Sequence, residues 1–190
     1  FYSSDASPTI KFSGVQIQVT YTLPTTTITT DTDPGAGIVV APGAAATDVD
    51  MFTLQTNVGT ETITSVTVNL STNNGVGRLA VTDNANAELG FTASPATGSN
   101  VISVSGMSAV SGSATTFKVR ATPLAHTSMP VPDGGAYSIT APVTSWAGDY
   151  ATHTGSDDNT NALTIDNDSP AGTTGAGATS GENGQSVVNW

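Results

Sequence analysis

The chain has 190 residues, with four basic and fifteen acidic side chains, a net charge of −11 and no cysteine. This excludes disulfide staples and thiol chemistry. It also argues against nucleic acid and anionic membrane surfaces, which need clustered Lys and Arg. Charged residues are only 10% of the chain, against the roughly 25% usual in soluble domains, so hydration must come from Thr, Ser, Asn and Gly. Such a surface is common outside cells, and the expected location is extracellular, at a cell surface.

No stretch approaches the ~20 apolar residues that span a bilayer. The longest weakly polar run, 38–46, is broken by Pro42 and Gly43, so membrane insertion is not expected. The chain begins at Phe1, which fits a mature N-terminus left after signal removal.

In chain order, residues 1–30 form an N-terminal extension. Within it Val15, Ile17, Val19, Tyr21 and Leu23 alternate with Gln16, Gln18, Thr20 and Thr22, the longest strict alternation in the sequence. A strand with one continuous apolar edge must bury that edge. It could be the first strand of its own sandwich or a strand donated to the sheet edge of a neighbouring copy. The reading adopted is donation over 15–23, with Pro24 and Thr25–Thr30 as an extended linker.

Residues 31–168 read as an antiparallel β-sandwich. Gly, Thr, Ser, Asn and Pro punctuate every window, and no apolar 3.6-residue period lasts three turns. Predicted strands are Ile38–Ala41, Met51–Thr56, Thr62–Leu70, Arg78–Thr82, Glu88–Thr92, Asn100–Ser105, Phe117–Ala121, Tyr137–Thr140 and Ala162–Ile165. In the third of these, Ile63 is out of phase with Val66, Val68 and Leu70, which predicts a bulge near Ser65. In Phe117–Ala121, Phe117 and Val119 point inward while Lys118 and Arg120 point outward. Turns such as Asn73-Asn74-Gly75 and Asp133-Gly134-Gly135 separate the strands. Residues 169–190 are a Gly- and Thr-rich linker ending in a short apolar strand, Val187 to Trp190.

The sequence offers little to a catalyst, and no enzyme activity is expected. His126 follows a predicted strand and His153 falls in a polar stretch read as a loop; neither has zinc-type spacing. No Gly-x-Ser-x-Gly elbow is present. The three glutamates, Glu61, Glu88 and Glu182, lack flanking aromatic sugar platforms. Acidic pairs occur at Asp31/Asp33, Asp48/Asp50, Asp157/Asp158 and Asp166/Asp168. Of these Asp157, Asp158, Asp166 and Asp168 are candidate calcium ligands, because calcium takes six to eight oxygens, although Asp and Asn also serve turns through their own side chains. No other cofactor is expected. Asn69 and Asn167 head Asn-x-Ser triplets and are candidate glycosylation sites.

The stretch Thr116–Pro130 resembles a recurring segment of Ig-like repeats in large secreted bacterial surface proteins. Tyr137-Ser138-Ile139-Thr140 followed by Val143-Thr144-Ser145 is similar to another, and Thr164–Pro170 to their inter-domain junction. Residues 178–190 resemble the opening strand of a fibronectin type III domain. The resemblance implies an Ig-like fold, secretion and a scaffold or adhesive role, and carries no catalytic residues. A fibronectin domain would continue for about 70 residues more, so either the chain is a fragment or the C-terminal strand completes a neighbour's sheet through Val187 and Trp190, and the second reading fits a polymer. The resulting expectation is a structural subunit of a pilus-like fibre, a homopolymer of copies of this chain. The alternative is a surface adhesin or spacer binding glycan or protein through its loops.

Overall fold

The computed structural model describes Gly14, residues 18–130 and 135–167, and the strands Ala178–Ser180 and Ser186–Val188. The described residues form an all-β sandwich, with one 3-10 turn at His126–Ser128. The strands are β1 (Thr25–Thr30), β2 (Val39–Val40), β3 (Thr47–Thr56), β4 (Thr60–Leu70), β5 (Val76–Asp83), β6 (Glu88–Ala93) and β7 (Gly98–Val110). They continue with β8 (Thr115–Pro123), β9 (Ala136–Ile139), β10 (Val143–Gly148), β11 (Thr152–Ser156), β12 (Leu163–Asp166), β13 (Ala178–Ser180) and β14 (Ser186–Val188).

One sheet has six strands in the order β11-β1-β3-β8-β5-β6. Two three-stranded sheets run β10-β4-β7 and β2-β12-β9, and β13 pairs with β14. Period-two alternation explains which residues face inward. Phe52 and Leu54 of β3, Phe117 and Val119 of β8, and Leu79 and Val81 of β5 come from the six-stranded sheet. They join Val66, Val68 and Leu70 of β4, Ile102 of β7, Ile139 of β9 and Leu163 and Ile165 of β12 in one buried core. Phe52 and Phe117 sit opposite each other across the β3–β8 pair, ring centroids 5.7 Å apart.

The phase slip in β4 is a register shift against β7 between Ile63 and Ser65. A second shift, between Asp48 and Asp50 in β3, puts Val49 and Asp50 both in the interior. On the outer face of β8, Arg120 Nε and Lys118 Nζ grip the Asp48 carboxylate at 2.7 Å and 3.2 Å.

The N-terminal segment corrects one expectation. The Thr25–Thr30 run is not a linker but strand β1, antiparallel to β3 and parallel to β11. Thr is β-branched and suits a pleated surface, and Thr26 and Ile28 are buried while Thr27 and Thr29 face outward. The strand starts where Asn57 brackets it: its amide Nδ2 donates to Leu23 O, and its Oδ1 accepts the Thr25 N–H, both at 2.9 Å. Residues 18–24 carry no strand pairing. The sandwich therefore begins at residue 25 rather than 31.

Candidate functional site

Of the five residues expected to form an assembly strand, Val15 and Ile17 lie outside the described residues. The other three project into solvent: Val19 and Tyr21 are 78% exposed and Leu23 58%. They lead directly into β1 and are not folded back onto the core. At the other end Val187 lies in β14 opposite Thr179 of β13; Trp190 is outside the described residues.

The sandwich has two seams where its large sheets end. At one, β6 lies tight against β7: a Cβ added at Gly90 would sit 2.0 Å from Ser103 O. The other seam lies between β11, which ends the six-stranded sheet, and β10, which ends the β10-β4-β7 sheet. These consecutive strands are not hydrogen-bonded to each other in either sheet. Trp146 of β10 stacks on His153 of β11 at 4.6 Å between centroids. A shallow depression of about 140 Å³ opens there, lined by Thr144, Ser145, Trp146, His153, Thr154 and Gly155.

Beneath this seam sits a polar group that sequence reasoning missed. Glu61 of β4 is in phase with Ile63 and fully buried. Its Oε1 meets His153 Nε2 at 2.8 Å and accepts the Tyr150 N–H at 3.3 Å. The Tyr150 hydroxyl donates to Val58 O at 3.0 Å. His153, read as a loop residue, is thus a strand residue that ties β11 to β4. The inward phase of Glu61 was a readable signal; its partner, 92 residues away, was not.

The acidic residues divide. Asp31 accepts a hydrogen bond from Thr116 Oγ1 at 2.7 Å. Asp158 is exposed and accepts one from Thr30 Oγ1 at 2.6 Å. Asp157, one residue before it, turns inward towards Asp50. Burial, with Asp157 and Asp33 alongside, pushes the Asp50 carboxyl up to about 9. Asp157 is raised as well, chiefly by burial and against the Val143 N–H that donates to it. Asp166 ends β12, in a different sheet, and Asp168 lies outside the described residues. The expected calcium quartet is therefore not gathered: among the described residues no three acidic or histidine side chains form a ready metal cage.

Of the candidate glycosylation sites, Asn69 is exposed on β4. Asn167 is 3% exposed, and that burial removes it as an acceptor in this conformation.

No protein-family model matches the sequence, and no curated protein is similar enough to count as a relative. The fold and these sites therefore define an all-β sandwich and no family beyond it.

Proposed function

We propose that the protein is a structural subunit of an extracellular filament, assembled when the segment 15–23 of one copy adds as a strand to the next. The carrying observation is the exposure of the alternating apolar residues Val19, Tyr21 and Leu23 just ahead of β1, outside the buried core of the sandwich. Three large apolar side chains in phase ahead of β1 suit an edge that supplies backbone partners and alternate pockets. The β10/β11 seam is the acceptor edge this reading favours, because the β6/β7 seam is closed by backbone contact at Gly90. Burying the ridge contributes about 25 cal/mol per Å² of apolar surface, added to a ladder of main-chain hydrogen bonds.

The test is electron microscopy of the wild type and of Ile17→Asp and Val19→Asp. A charge in the ridge abolishes fibres while the sandwich keeps its β circular dichroism. Normal fibres from both variants would rule the segment out. The adhesin reading has one observation in its favour, the Trp146–His153 platform in an open depression, since aromatic faces with neighbouring hydroxyls suit sugars. Monomers in light scattering that bind glycan, and lose that binding in Trp146→Ala, would replace the filament reading.

A further inference from the structure

Asp50 follows the register shift in β3, is in step with the core residues Phe52 and Leu54, and is 0% exposed. Among the described residues the cations are engaged elsewhere: Arg78 pairs with Glu88, and Lys118 and Arg120 hold Asp48 on the outer face. The partner of Asp50 is another acid. Its side chain hydrogen-bonds that of Asp157, and two carboxyl groups can do so only around a proton. Asp50 is fully enclosed and Asp157 half-buried, so Asp50 keeps the proton and donates it. Burial, with Asp157 and Asp33 alongside, lifts the Asp50 carboxyl to about 9, which makes it a neutral donor near pH 7.

The pair lies where three strands meet. Asp157 follows β11 directly, and its Oδ2 accepts the N–H of Val143, the first residue of β10, at 2.8 Å. One side chain therefore joins the end of β11 and the start of β10, which share no ladder, to the interior of β3. Asn159, two residues further on, donates its Nδ2 to Val49 O and reaches Asp50 Oδ1 at 3.4 Å. Asp33, from the loop after β1, is the third acid acting on the pair; its Oδ2 accepts the Thr160 N–H at 2.7 Å and hydroxyl at 2.9 Å. The neighbouring acids have other partners, Asp158 with Thr30 and Asp31 with Thr116.

We propose that the proton between Asp50 and Asp157 is a latch that closes one end of the β10/β11 seam, and that its loss releases residues 157–160 from β3. With the proton present the pair is a charge-assisted hydrogen bond, among the strong kinds. Without it two carboxylates, with Asp33 beside them, repel where no cation compensates. Opening brings water to Asp50, whose carboxyl returns to its ordinary 3.8 and gives up the proton. Between that value and about 9, opening therefore becomes easier as pH rises. One proton released per opening corresponds to about a tenfold gain per pH unit. The seam is the acceptor edge of the assembly reading, but the latch does not rest on that reading.

The experiment is amide hydrogen exchange on the full chain between about pH 6 and pH 8, expressed as protection relative to an unstructured chain at the same pH. The Val143 amide and those of β11 are less protected than the β4–β7 amides, and their protection falls about tenfold per pH unit. Asp50→Asn holds the latch shut, because its carboxamide donates to Asp157 as the protonated carboxyl does, and protection becomes high and flat. Infrared spectra near pH 7 show a protonated-carboxyl band in the wild type that Asp50→Asn lacks. The absence of that band in the wild type, or a pH slope unchanged in Asp50→Asn, overturns the proposal. So does equal protection in β11 and in the β4–β7 pair, which would mean that the proton leaves only on global unfolding.

Discussion

Asp50 shows how one residue's surroundings set a whole-protein property. Its ordinary carboxyl value is 3.8 and the folded value is about 9. Between those limits the folded chain keeps a proton that the unfolded chain has lost. Stability is therefore greatest below the lower limit and falls as pH rises towards the upper one. Asp157, also raised, acts in the same direction. The melting temperature should fall steadily from pH 5 to pH 8, and Asp50→Asn should flatten that slope. An unchanged slope in the variant would remove Asp50 as its source. Glu61 is the second such residue. Glu61→Ala strips the partner from His153 and from the Tyr150 N–H and should cost about 3 kcal/mol in urea unfolding. A loss below about 0.5 kcal/mol, the range of an ordinary surface change, would show that the buried contact contributes nothing.

At the scale of elements, β1 depends on partners far along the chain. It is held between β3 and β11, and Thr27 bonds Thr154 across 127 residues at 3.0 Å. The parallel β1–β11 pair is possible only because β11 has Gly155 opposite Ile28. A Cβ at Gly155 would stand 2.1 Å from Ile28 O, and its φ of +87° is a conformation that side-chain-bearing residues rarely adopt. Gly155→Ala should therefore separate the two strands and lower stability by about 2 kcal/mol or more. Hydrogen exchange should show lost protection confined to β1 and β11; retained protection there would mean the backbone gives way without harm.

For the whole molecule, distant strand pairing sets how folding proceeds. The six-stranded sheet joins residues from Thr25 to Ser156, so loop closure must precede most of the contacts that stabilise it. Stopped-flow refolding should fall in the range of about milliseconds to seconds typical of β-sandwiches. Microsecond refolding would contradict this topology. The acidic balance acts at the same scale: three cations of the described chain are engaged with acids, and the remaining carboxylates leave a surface that repels its copies at low salt. Under the proposed assembly, which buries an apolar ridge rather than pairing charges, adding salt should screen that repulsion and speed fibre growth; growth slowed by salt would count against the proposal.

The sequence by itself determined the all-β class, nine of the strands to within a few residues, the bulge in β4 and the outward aspect of Lys118 and Arg120. All of these follow from alternation, which is local: the phase of a side chain is fixed by its immediate neighbours. Only the tertiary structure decided that Thr25–Thr30 is a core strand, that His153 meets Glu61, and that Asp50, Asp157 and Asn159 face one another. Threonine runs satisfy a linker and a strand equally well until a partner supplies the hydrogen-bond ladder. The partners lie about a hundred residues away, and which segments meet depends on how the sheets close around their shared core.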